Sequence, residues 1–170
     1  MAIKIKFQSL KFDAGSKVLT LVDIFTPKKR SWIMSRIRST NTSIDLKMKE
    51  MLKNNNLKHK MYPKMFGNPD FVIEVQRIAI FCDGDFWHGY NYGEKKKPTK
   101  KFWRDKIETN MIRDKRVSRK LRKDGWTVLR FWEHDIRKRP DSCIVKIKRK
   151  SNKNEELRSC FNRHSAKFLH

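Results

Sequence analysis

What the chain lacks bounds what it can be. Acidic charge is scarce: 18 Asp+Glu stand against 42 Lys+Arg, a formal net charge of +24 over 170 residues. So positive a surface repels itself unless a polyanion is at hand, which makes nucleic acid the leading partner. Long apolar runs are missing. No stretch approaches the roughly 20 apolar residues that a spanning helix needs, and the basic runs have no broad apolar face, so membrane binding is set aside. Cysteine is sparse and scattered, at Cys82, Cys143 and Cys160. An odd, dispersed set argues against a disulfide framework and for a reducing setting. Taken with the histidines, it shows no zinc spacing of the finger or ribbon kind. A secretory pattern at the N-terminus and internal repeats are also lacking, and the expected location is the cytoplasm.

The length suits one domain with extensions and a sizeable core. Residues 1–25 read as an extension of unknown role, 26–150 as the main domain and 151–170 as a basic tail. The first stretch is either an added arm or lies upstream of a natural start nearer Val22. From residue 28 to 38 the chain is basic, with Trp32, Ile33, Met34 and Ile37 spaced as one helical face. Thr42 followed by Asp45 resembles a capping signal for a helix whose stripe is Ile44, Met48, Met51 and Leu52. That helix is expected to stop in the asparagine tract 54–56. Residues 57–69 read as a loop punctuated by Pro63, Gly67 and Pro69.

Two short apolar runs, 71–75 and 78–82, read as paired strands. The lysine-rich stretch 93–101 is too polar to pack. A long helix is expected over 101–124, with Trp103, Ile107, Met111, Asp114, Val117 and Leu121 near one face and Gly125 as its stop. Residues 126–132 alternate and are rich in β-formers, a third strand joined through the helix by a parallel crossover. A weaker helix over 133–150, interrupted at Pro140, completes an α/β chain with a small mixed sheet flanked by helices.

Acids sit where the paired strands begin and end. Asp70 opens the first strand, Asp83 and Asp85 follow the second, and His88 is close behind. Adjacent strands lie about 4.8 Å apart, so a hairpin could bring Asp70 and Asp83 to one divalent cation. Hydrolysis of a phosphodiester needs a positioned water, neutralised phosphate charge and help for the leaving oxygen. Mg²⁺ does the last two, and carboxylates hold it well. The backbone carbonyl of Cys82 could add an oxygen, and His88 could serve as general base. Taken singly, Pro-Asp before a strand reads as a turn, Asp-Gly-Asp as a loop and Asp45 as an acid suited to a helix start. Their joint placement in so basic a chain favours nuclease chemistry. Aromatics beside the acids (Phe86, Trp87, Trp103) could stack on or wedge between bases, or belong to the core. Lys100, Lys101, Arg113 and Arg116 would bind backbone phosphates.

Ser35-Arg-Ile-Arg-Ser-Thr-Asn-Thr-Ser-Ile-Asp45, Gly67-Asn-Pro-Asp-Phe-Val72, Phe81-Cys-Asp-Gly-Asp-Phe-Trp-His-Gly89, Phe102-Trp-Arg-Asp-Lys-Ile-Glu-Thr-Asn110 and Gly125-Trp-Thr-Val-Leu-Arg-Phe-Trp-Glu133 occur in that order. Over about 26–150 they resemble the very short patch repair mismatch endonucleases. The resemblance implies a restriction-endonuclease-like fold, use of Mg²⁺, and nicking of one strand beside the T of a T:G mismatch. It implies that Asp70 binds metal, the Cys82 carbonyl completes the shell and His88 is the general base. Asp45 falls where other members carry a glutamate near the site, Phe86, Trp87 and Trp103 match the DNA wedge, and Asn110 matches an asparagine near the DNA. Two departures stand out. Asp83 replaces a histidine, adding a carboxylate to the site. Of the positions that hold a structural zinc in the family (Asp85, Tyr90, Tyr92 and His134), three are unsuited to zinc, so none is expected.

The reading is a monomeric, Mg²⁺-dependent endonuclease acting on double-stranded DNA in mismatch repair, with repair proteins as possible partners. The alternatives are a related nicking, restriction or homing endonuclease acting on matched DNA, and a non-catalytic DNA-binding module.

Overall fold

A mixed four-stranded sheet in the order β1-β2-β3-β4 forms the middle layer. Its strands are β1 (Lys60–Met61), β2 (Phe71–Ile73), β3 (Ile78–Asp83) and β4 (Thr127–Trp132). In the computed structural model the described residues are 26–36, 40–93, 98 and 101–166. At 27, 30, 33, 34, 36 and 161–166 only the backbone is described. The expected extension 1–25, together with Ile37 and Lys100, lies outside them.

The expected hairpin is present, with Phe71 opposite Ile80 and Ile73 opposite Ile78. It turns through residues 74–77, where the Arg77 N–H donates to the Glu74 carbonyl at 3.0 Å. The crossover is also as expected. Helix α3 (Lys101–Lys123) carries the chain to β4, which lies parallel to β3 with Ile78 opposite Thr127 and Asp83 opposite Trp132. Gly125 takes a left-handed φ of 79° after α3, and its N–H closes on the Arg122 carbonyl. Strand β1 falls within a stretch that reads as loop. Two residues carry no usable periodicity, and only antiparallel pairing with β2 makes them a strand.

Strand alternation divides the core into two layers. Phe71, Ile73, Ile78, Ile80, Leu129 and Phe131 face one side, against Ile44, Met48 and Leu52 of α2 (Ser43–Asn54), Ile136 of α4 (Glu133–Lys138) and Ile147 of α5 (Pro140–Ala166). Val72, Ala79, Phe81 and Val128 face the other, against Val117 and Leu121 of α3. Helix α2 starts as its residues predict: Asp45 N–H donates to Thr42 Oγ1, and the Asp45 carboxylate accepts from Thr42 N–H.

The expectation for the C-terminal segment also changes. The chain breaks between α4 and α5 at Pro140 as expected, but α5 runs on to Ala166, so residues 151–166 are helical. Ser151 is buried, and Asn154 Nδ2 donates to the Gln76 carbonyl and to Thr127 Oγ1. These anchors hold the start of a segment whose composition reads as an unpaired tail. Helix α1 (Pro27–Arg36) precedes α2. Among the described residues no helix is long and apolar enough to cross a membrane.

Gly67 shows how tightly the approach to β2 rests on α3. Its φ is +83°, and a Cβ there would lie 2.3 Å from Val117 Cγ1. Gly67→Ala is expected to destabilise the fold by about 1–3 kcal/mol through overpacking and backbone strain. Urea denaturation measures this, and an unchanged midpoint would show that Val117 moves aside freely.

Candidate active site

Asp70 stands immediately before β2 and already pairs as though in the sheet. Its N–H donates to the Ile80 carbonyl, and its carbonyl accepts from Tyr62 N–H. This backbone clamp aims the carboxylate at the end of β3, where Oδ2 accepts from the Cys82 N–H at 2.7 Å. Asp45 reaches the same place from the first turn of α2. A carboxylate oxygen from each of Asp45 and Asp70 and the sulfur of Cys82 all lie within 4.8 Å of one another. Asp45 is 2% exposed, and its Oδ2 accepts from Tyr62 Oη at 2.9 Å as well as from the Thr42 N–H. Asp45 is therefore a helix cap and a member of the acidic site at once.

Burial raises the Asp70 carboxyl to about 7. The Cys82 N–H opposes the shift, the charges of Asp45 and Asp83 add to it, and Arg130 offsets part. Burial likewise lifts the Tyr62 hydroxyl to about 12 and the Cys82 thiol well above its usual range. Two hard carboxylates with too little positive charge beside them fit a small divalent cation. A soft, buried thiol suits such a hard cation poorly, so the two carboxylates carry the fit.

Asp83 lies elsewhere than expected. Neighbouring residues of a strand point to opposite faces, so Cys82 faces α2 while Asp83 turns toward α3. There both its oxygens are taken by Arg130 of β4, with Nε to Oδ2 and Nη2 to Oδ1 each at 2.6 Å. The expected sharing of one cation by Asp70 and Asp83 is not the arrangement found; Asp83 is 4% exposed and bound by a guanidinium. Arg130 Nη2 also reaches Asp114 Oδ1 of α3 at 3.2 Å. Asp114 Oδ2 is 2.5 Å from His88 Nδ1, and Asp83 Oδ1 is 3.5 Å from it. Burial alone would raise the Asp114 carboxyl, but the His88 hydrogen bond and the charge of Arg130 hold it below its ordinary value. An ionised Asp114 can only accept, so Nδ1 of His88 donates to it, and in the neutral ring the lone pair is left on Nε2.

Tyr62, Asp114 and Arg130 are site residues that the sequence reading did not assign. Asp114 and Arg130 had a signal: each is a charged residue on a face or strand otherwise destined for the core, and buried charge needs a partner.

The loop after β3, residues 84–93, is tied down at several points. Asp85 Oδ1 pairs with His134 Nδ1 at 2.8 Å, and the Tyr90 ring lies 4.2 Å from that of His134. Tyr92 Oη donates to Glu108 at 2.9 Å. Asp85, Tyr90 and His134, aligned with zinc ligands by the resemblance, thus meet through a hydrogen bond and a ring contact, while Tyr92 reaches α3. Asn110, expected near the DNA, donates from Nδ2 to the Trp87 carbonyl at 3.0 Å and so anchors the loop. Phe86, Trp87, Phe102 and Trp103 form one aromatic cluster. Trp103 is 7% exposed and makes its floor, while Phe86 at 44% and Phe102 at 47% form its edge. Lys101, Arg113 and Arg116 are exposed along α3.

Residues 22–94 match the family described as DNA mismatch endonuclease Vsr. The type II nicking enzyme V.NmeDIP of Neisseria meningitidis serogroup C is 35% identical over 131 residues, covering 75% of this chain and 88% of that protein. The DNA mismatch endonuclease Vsr of Escherichia coli K12 is 33% identical over 122 residues, covering 70% of this chain and 78% of that one. Among solved structures, the catalytic domain of the homing endonuclease I-Bth0305I is similar with a TM-score of 0.48 and 19% identity, over 67% of this chain and 98% of that one.

Two measurements test the geometry. The Asp70 carboxyl, normally near 3.8, titrates near 7 in the fold, so the folded state holds an extra proton between those values. Its contribution to stability is therefore lost as pH rises through that window. Asp70→Asn should raise the urea midpoint of metal-free protein at pH 8 more than at pH 4, and equal shifts would contradict the buried carboxyl. Arg130→Met should cost about 3–5 kcal/mol, because Asp83 is left buried without its partner; denaturation of the variant measures it.

Proposed function

The chain belongs to the Vsr endonuclease family, and from that premise we propose that this DNA endonuclease nicks one strand of duplex DNA beside a T:G mismatch, using Mg²⁺. The observation that carries the chemistry is the Asp45–Asp70 carboxylate pair beside Cys82, with its shortage of positive charge. Asp45, Asp70 and the Cys82 carbonyl would hold the cation. When bound it supplies charge neutralisation at the phosphate and acidifies water. His88 takes the proton from the attacking water at Nε2, because Asp114 fixes the proton of the neutral ring on Nδ1. Asp114 acts through His88 and is a positioning residue. Arg130 keeps Asp83 and Asp114 compensated in the same small volume.

Support for mismatch recognition comes from the exposed edge of the aromatic cluster. Phe86 and Phe102 present flat apolar surface next to basic α3, suited to entering a base stack that a mismatch has weakened. Lys101, Arg113 and Arg116 hold phosphates and supply affinity without base choice. A second reading has the same chemistry act on matched DNA. It is favoured by Asp83, which stands paired with Arg130 where the family pattern has a histidine.

Paired duplexes that differ only in T:G against T:A separate the readings. Faster nicking of T:G with Mg²⁺, abolished by EDTA, is the expected result, and equal nicking of both duplexes would sink mismatch specificity. Asp70→Ala should lower the nicking rate by at least about 10³-fold, as expected for loss of a principal metal ligand, with DNA affinity within about twofold. A variant that still nicks would show that another group holds the metal.

A further inference from the structure

Beside the catalytic histidine lies a cavity of about 580 Å³ between α3, the loop 84–93 and the end of β4. Its charged lining is uneven. Asp83 and Asp114 contribute two carboxylates, and Lys115, Arg119, Arg122 and Arg130 contribute four cations. Both carboxylates are already engaged: Arg130 grips both oxygens of Asp83, and Asp114 takes Arg130, Arg113 and His88. That leaves Lys115, Arg119 and Arg122, spaced at i, i+4 and i+7 along one face of α3, with no ion pair among the described residues. Arg130 itself is incomplete, since its buried Nη1 has no hydrogen-bond partner among the described residues. A buried N–H without an acceptor is costly, and a guanidinium prefers to fill its fork.

The alternative occupant, a divalent cation held by Asp83, His88 and Asp114, is disfavoured because Arg130 already stands between the two carboxylates. The unmet donors all call for acceptor oxygens that carry negative charge.

We propose that this cavity is a phosphate subsite, distinct from the Asp45–Asp70 centre, that takes one particular phosphodiester of the bound duplex on Lys115, Arg119, Arg122 and Arg130. The inference rests on the reading of the chain as a DNA endonuclease, and it adds a fixed register to it. A phosphate seated beside His88 sets which neighbouring phosphodiester lies at the acidic centre. Phosphate contacts position a protein on DNA while leaving base choice to other groups.

The test is a scan of duplexes in which a single phosphate near the nick is replaced by an uncharged methylphosphonate. Binding is measured with the full chain carrying Asp70→Ala, in EDTA, on T:G and T:A duplexes. One position should weaken binding by about tenfold, the size of a lost charge-assisted contact. That cost should vanish in the added pair Arg119→Gln/Arg122→Gln and persist in Lys49→Gln/Lys53→Gln, which alters exposed cations of α2. If the first pair lowers the denaturation midpoint, Lys115→Gln/Arg119→Gln replaces it.

A scan without a sensitive position, or a sensitive position that the cavity variants leave unchanged, overturns the subsite while DNA binding itself stands. Competition by inorganic phosphate at matched ionic strength, lost in the cavity variants and accompanied by a flat scan, would mean that the cavity binds free phosphate, and this too overturns it. Failure to bind any duplex would sink the endonuclease reading along with the subsite.

Discussion

The parallel pairing of β3 with β4 is the constraint from which the rest of the site follows. It sets Cys82 opposite Phe131 and Asp83 opposite Trp132, and the pleat sends successive side chains to opposite faces. Cys82 thereby turns toward α2, where Asp45 and Asp70 gather, and Asp83 turns toward α3, where Arg130, Asp114 and His88 gather. One strand end serves two clusters with different chemistry, one a carboxylate pair short of positive charge, the other a carboxylate pair already compensated. A register slip of one residue would exchange the two faces and dismantle both.

Each cluster depends on backbone that is itself structural. Asp45 caps α2, Asp70 extends the pairing of β1, β2 and β3, and the N–H of Cys82 is spent on Asp70. The acidic centre is thus built on rigid elements. The histidine stands on a loop, and that loop needs several ties: Asp114 to His88, Asn110 to the Trp87 carbonyl, Glu108 to Tyr92 and His134 to Asp85. The Asp85–His134 hydrogen bond, the Tyr90–His134 ring contact and the bonds to α3 brace this loop together. Arg130 is the corresponding brace on the sheet side. It allows an aspartate where a histidine is expected, because its fork meets both oxygens of Asp83 and still reaches Asp114.

Much of this was legible from residue order. The stripe Ile44, Met48, Met51, Leu52, the Thr42–Asp45 cap, the strand pair around residues 74–77, the long helix stopping at Gly125 and the strand before residue 133 all rest on local periodicity or local turn chemistry. Those signals are strong because each is contained in a few neighbouring residues. The two-residue strand β1 and the helical nature of 151–166 were not legible, since both depend on partners far along the chain: Phe71 and Val72 for the first, Gln76 and Thr127 for the second.

The sequence by itself determined that this is a basic α/β protein with acids and a histidine at strand ends. Charge, apolar period and motif order are properties of the chain, readable without a fold. Only the tertiary structure decided which acids stand together. Asp70 and Asp83 are equally plausible ligands when seen as a hairpin, but the pleat and the arrival of Arg130 from β4 give Asp83 to α3. Asp45, 25 residues upstream of Asp70, and Asp114, 26 residues downstream of His88, enter the site only because α2 and α3 pack on opposite faces of the sheet. Distances across a sheet are set by topology, and topology is a property of the whole chain.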